Sequence, residues 1–151
     1  MNRMDAAVTA RAVLRSVIAA ALAVDAVIHL QLAGAYDNAA PAGIGEGNLF
    51  RIEAAFALAA AVAVLLPAVL LPAGLLPAGR FTVPFAALVL GAGLAAVLVY
   101  RYVDVPALGP IPAMYEPVWF TKKSVVAIAE AVGLVSCGGP ALAGARRDRT
   151  G

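Results

Sequence analysis

The chain has one cysteine, Cys137, so it can close no internal disulfide. It has one histidine, His29, so a haem held by two imidazoles would need a second copy of the chain. Charged residues make up only 13% of the sequence, against roughly a quarter in soluble domains. No stretch shows the strict apolar–polar alternation of a barrel strand. HxxxH, ExxH and CxxC spacings are missing, as are a nucleophile elbow, a phosphate loop and a Ser/His/Asp order. These absences set aside the motif-bearing enzyme chemistries and point to a non-catalytic protein.

What remains is apolar. Hydrophobic residues account for 63% of the 151 positions, and mean hydropathy is +0.91. Four stretches come close to the roughly 20 residues that a membrane helix needs: 16–35, 50–71, 81–100 and 120–142. Backbone polar groups in hydrocarbon must be satisfied within the segment, so such runs are read as helices. The expectation is an all-α fold, a four-span transmembrane helical bundle forming a single membrane domain over residues 1–151. Its partner would be the lipid bilayer, as a multi-pass protein of the cell membrane.

The net charge of +2 does not point to nucleic acid, because the basic residues flank the spans. Arg3, Arg11, Arg15, Arg80, Arg146, Arg147 and Arg149 fall on one side. Arg51, Arg101, Lys122 and Lys123 fall on the other. Seven against four predicts N- and C-termini in the cytoplasm under the positive-inside rule. A cleaved leader ending near "LAGAY" is the rival reading of the N-terminus. The length before Ser16 and the interruption at Asp25 argue against it.

Between the second and third spans, "LLPAVLLPAGLLPAG" places a proline every fifth residue. Each proline removes a helix hydrogen bond, which predicts fraying near Pro67 and an apolar turn closing at Arg80. In the third span, Gly91 with Ala87 and Ala95 forms small-xxx-small pairs that allow close helix packing. Asn48 is the expected N-cap of the second span. The connection "VDVPALGPIPAMYEPVWF" holds four prolines, too many for a regular helix. Its aromatic residues suit an interfacial belt or a lid over a pocket.

The informative stretch is "AVDAVIHLQ", with Asp25 and His29 one helical turn apart inside the first span. Ile18, Leu32 and Tyr36 fall near the same face. A charged Asp at the bilayer centre costs roughly 2.5 to 3.5 kcal/mol on insertion scales, so it should face the bundle interior. Glu53 in "NLFRIEAAF", Glu130 in "VVAIAEAVG" and Arg101 at the end of the third span fall at compatible depths. Asp25, His29, Glu53, Arg101 and Glu130 are thus the expected polar cluster, in the outer half of the bundle. Deep ionisable residues mark functional sites by default, although a purely structural network would use the same groups. Imidazole with carboxylates can hold a divalent metal, for which His29, Glu53 and Glu130 are the candidates. The residues name no cofactor.

At "HLQLAGAY", "GNLFRIEAA" and the "AE" of the fourth span, the chain resembles small four-helix membrane proteins, distantly DoxX-like. That resemblance implies a redox accessory subunit using quinone or metal. The residues themselves favour a protein that binds a small molecule or a partner subunit at the cluster. A proton-coupled carrier is a further alternative, and four spans would complete a pathway only as a homo-oligomer.

Overall fold

The computed structural model describes residues 3–37, 44–70 and 79–147, with side chains at 5–37, 44–66 and 81–139. Four α-helices form: α1 (Arg3–Ala33), α2 (Glu46–Leu70), α3 (Gly79–Tyr102) and α4 (Thr121–Arg147). A single 3-10 turn, Gly34–Tyr36, continues α1. Three helical stretches are long and apolar enough to cross a membrane: Asp5–Tyr36, Glu46–Leu66 and Phe81–Tyr102. The described part of α4 carries Lys122, Lys123 and Glu130 and is not one of these three.

The helices run past the boundaries that hydropathy marks. α1 starts at Arg3 rather than Ser16, because charge ends an apolar run without ending a helix. Asp5 lies in its first turn, where a carboxylate complements the helix dipole. At 31 residues, α1 is about 46 Å long, well beyond the roughly 30 Å of a hydrocarbon core. α2 likewise begins before Asn48. The Gly45 carbonyl accepts from Asn48 N at 2.9 Å and Leu49 N at 3.1 Å, so Gly45 occupies the capping position. The expected cap is corrected accordingly: Asn48 is inside the helix, and its Oδ1 accepts from Arg51 Nη1 at 3.0 Å. α2 also passes through Pro67 to Leu70. The remainder of the proline repeat, 71–78, lies outside the described residues.

The helices close into a four-cornered bundle. α1 packs on α2 and α4, and α3 packs on the same two. Across the diagonals, α1 and α3 touch marginally, and the α2 and α4 backbones stay apart. The interior is built from small residues. On α2, Ala54, Ala57, Ala61 and Val64 form a buried stripe at helical spacing, which lets α1 approach closely. Ile18, Leu22 and Leu90 fill what remains. Large apolar side chains point outward instead, including Phe56, Val62, Leu88, Ile128 and Val135. A soluble monomer rarely exposes such a surface.

Two connections meet at one end of the bundle, here termed the loop end. Ile44 N donates to Pro110 O at 3.0 Å, joining them. Residues 103–120 form no helix, as expected, and fold instead as a short antiparallel ribbon pairing Val105 with Met114 and Leu108 with Ile111. Gly109 opens its two-residue turn at φ +59°, a conformation glycine adopts without steric cost. Arg51 Nη1 and Nη2 grip Asp37 Oδ1 and Oδ2 at 2.7 and 2.6 Å. These hydrogen bonds hold the exposed Asp37 carboxyl below its ordinary value near 3.8.

Candidate functional site

Each helix turns one face toward the bundle axis at the loop end. α1 presents Asp25, His29, Leu32 and Tyr36, and α2 presents Glu46, Leu49, Phe50 and Glu53. α3 supplies Gly93, Ala96, Val97 and Tyr100, and α4 supplies Lys123, Val126 and Glu130. Within each set every residue has another three or four positions away, which stacks the side chains on one helix face. Apart from Asp25 and Glu130, all of these residues line a cavity of about 490 Å³. Met114, Tyr115, Glu116 and Phe120 complete its wall, so the proline-rich connection covers its mouth.

The floor is acidic and buried. Asp25 and Glu130 are fully buried, and His29 is 6% exposed. One donor atom from each of these three residues lies within 4.8 Å of the others. His29 Nδ1 stands 2.5 Å from Asp25 Oδ1 and 3.1 Å from the Asp25 backbone carbonyl. Both contacts use the same ring nitrogen, so Asp25 holds the His29 ring against its own helical turn. Among the described residues no hydrogen-bond partner reaches Asp25 Oδ2, either Glu130 oxygen or Glu53 Oε1, and Asp25 Oδ1 has only the close approach of His29 Nδ1. Such groups are costly to bury without partners.

Gly93 makes this convergence possible. A Cβ at that position would collide with Glu130 Oε1 and stand 3.3 Å from Glu53 Oε1. The carboxylates of α2 and α4, at opposite corners of the bundle, therefore meet over the bare backbone of α3. Sequence reasoning singled out Gly91 as the packing glycine of this helix. The only side chain within 4 Å of a Cβ at Gly91 is Leu134, no nearer than 3.7 Å.

Of the five expected cluster residues, Asp25, His29, Glu53 and Glu130 come together. Arg101 does not join them. It is eight residues beyond Gly93 on α3, about 12 Å along the axis, and its guanidinium lies 5.1 Å from the Tyr102 ring centroid. Its Nε is buried without an acceptor among the described residues. The tight donor group also differs from the expected metal set, with Asp25 in place of Glu53. Asp25 is one turn from His29 on the same helix, whereas Glu53 reaches the centre from α2 with Oε1 beside Gly93.

Lys123 was missed as a site residue. It is 6% exposed, and its ammonium donates to the Glu116 carbonyl, tying the mouth connection to α4. Its signal was present, because Lys123, Val126 and Glu130 share a helix face. Glu116 had none, sitting in an aperiodic loop. Its Oε2 accepts from Tyr36 Oη at 3.2 Å. Above the floor, the His29 and Phe50 rings lie 5.6 Å apart, and Tyr36 meets Phe50 edge-on at 5.1 Å.

No protein-family model, curated protein or solved structure matches this chain.

What the site can do follows from its chemistry. Its upper part combines aromatic walls with Glu46, Glu53, Glu116 and Lys123. Its floor holds buried acceptors in excess of donors. Such a site takes a ligand with an apolar body, and it favours a polar head that donates hydrogen bonds or carries positive charge.

Proposed function

We propose that this chain is a four-span protein of the cell membrane, with both termini cytoplasmic, that holds a small amphipathic molecule in the cavity at the loop end. The observation that carries the reading is the cavity itself. Its volume of about 490 Å³ falls within the roughly 300–1,000 Å³ of small-molecule sites. Apolar and aromatic walls with a few convergent polar groups are the usual make-up of such sites.

The fourth span is supported by how α4 divides its residues. Val125, Ile128, Val132 and Val135 are exposed, while Lys123, Val126, Glu130 and Cys137 are buried. An apolar outer stripe over a polar inner one suits a helix with lipid outside and a polar site within. Lys122 and Lys123 then mark the membrane boundary, and the arginine count sets the orientation.

Within the cavity, Glu46, Glu53 and Glu116 outnumber Lys123, whose ammonium is engaged by the Glu116 carbonyl. The favoured ligand therefore has a basic or hydrogen-bond-donating head and a flat apolar body resting on Phe50, Tyr100 and Phe120. The test is native mass spectrometry of protein taken from its own membrane, compared with Ala96→Trp, which fills the cavity. One co-purifying small molecule, lost in the folded variant, is the expected outcome. Wild-type protein that carries nothing, or equal occupancy in Ala96→Trp, would refute the reading.

A further inference from the structure

At the floor of the bundle, we infer a binding site for a divalent first-row transition ion such as zinc or manganese, ligated by Asp25, His29 and Glu130 with Glu53 in reach. This inference does not depend on the organic ligand proposed for the cavity above.

Donor atoms of the three residues already lie within 4.8 Å of one another. Ligands around a tetrahedral zinc, with bonds of about 2.1 Å, stand about 3.4 Å apart. The remaining contraction is small for glutamate arms, and Glu53 Oε1 points to the same place beside Gly93.

These carboxylates also have bonding capacity that the protein leaves unused. Asp25 Oδ2 and both Glu130 oxygens are buried without a hydrogen-bond partner among the described residues, although both residues are fully buried; Asp25 Oδ1 has only the His29 ring nitrogen at 2.5 Å. A protein that buries carboxylates ordinarily gives them partners. Here the one nearby base is an imidazole, and Arg101 stays away. Two carboxylates and a neutral imidazole around a divalent cation sum to zero charge, the state that a low-dielectric interior favours.

Imidazole with carboxylate suits zinc, manganese or iron(II). Calcium takes six to eight oxygen ligands, and magnesium keeps several waters. A site of one nitrogen and two or three carboxylates on packed helices α1, α2 and α4 matches the transition ions better. Gly93 is part of the design, since any side chain there would displace Glu130 Oε1.

The test uses the full chain in detergent, treated with chelator and stripped of bound organic molecules. Zinc and manganese are titrated calorimetrically, and cobalt is followed by its visible absorption. One ion per chain is expected. His29→Ala and Glu130→Gln should each weaken zinc by more than about 100-fold, beyond the 10- to 100-fold effect of an outer-shell change. Asp104→Asn, exposed in the long connection, should leave zinc affinity unchanged. Zinc should also raise the melting temperature of the wild type with increasing concentration, but not that of Glu130→Gln. If Glu130→Gln does not fold, Glu130→Asp keeps the charge, shortens the arm and should still lose affinity. Wild-type protein that binds none of the three ions would overturn the site. So would folded variants that bind zinc as the wild type does. Because the protein is stripped beforehand, an empty cavity in the mass-spectrometric experiment leaves this result standing.

Discussion

Replacing Gly133 by alanine tests the packing of the bundle most sharply. Gly133 is buried on α4 where that helix meets α1 and α3. A Cβ there would stand 2.8 Å from Ala21 Cβ and 2.8 Å from Leu90 Cδ1. Ala21 Cβ is fixed to the α1 backbone, and Leu90 is fully buried, so neither yields without moving a helix. Overpacking of this kind costs about 1–3 kcal/mol, and two simultaneous contacts place it at the upper end. Alanine recovers about 1 kcal/mol as the better helix former. The net expectation is a loss of about 1–2 kcal/mol. Gly91→Ala is the control. Its Cβ would meet only Leu134, at 3.7 and 3.9 Å, so the propensity gain of about 0.5–1 kcal/mol stands unopposed. The two variants should therefore move in opposite directions and differ by about 1.5–3 kcal/mol. Unfolding in mixed detergent, followed by Trp119 fluorescence, measures both. A Gly133→Ala protein as stable as Gly91→Ala would show that the helices are not packed as described.

Other outcomes follow from the loop end. Lys123→Ala removes the donor to the Glu116 carbonyl and leaves a part-buried acceptor unpaired, at about 1–3 kcal/mol; hydrogen exchange in residues 103–120 should accelerate, and unchanged exchange would contradict the tie. Tyr36→Phe deletes the hydroxyl that donates to Glu116 Oε2 and should cost about 0.5–1.5 kcal/mol in the same unfolding assay. For the Asp37–Arg51 pair, Asp37 titrates below its ordinary value near 3.8, so its contribution is fully present above that value. It is lost as pH falls through the lower folded value. Wild type and Arg51→Gln should accordingly differ in stability at pH 6 and converge in strong acid. A difference that persists at the lowest pH would assign the Arg51 effect to something other than Asp37.

The number and order of helices were legible because long apolar runs in lipid have few alternatives to a helix. Their ends were not legible, since Asp5, Arg11 and Arg15 interrupt hydropathy while remaining compatible with helix. The cap of α2 moved from Asn48 to Gly45 for a tertiary reason. A Cβ at Gly47, between them, would collide with Asp37 Oδ1 and stand 2.6 Å from the Ala33 carbonyl, so α1 and its 3-10 turn press on the first turn of α2. Asp25, His29, Glu53 and Glu130 could be grouped from depth alone. Depth put Arg101 among them as well, although it stands about 12 Å from Gly93 along α3. Gly93 carried no local sign, because its role depends on carboxylates from two other helices. Aromatic residues of the long connection divide between two fates. Tyr102 and Trp119 face outward, and Tyr100 and Phe120 turn into the cavity.

The α2 and α4 backbones never meet across the bundle, so their diagonal is spanned by side chains alone. Glu53 and Glu130 bring their carboxylates from opposite corners to one level beside Gly93. Alanine-lined corners pack below that level, and the cavity keeps the corners apart above it. A cation held at that level would tie α2 to α4, two helices with no backbone contact of their own.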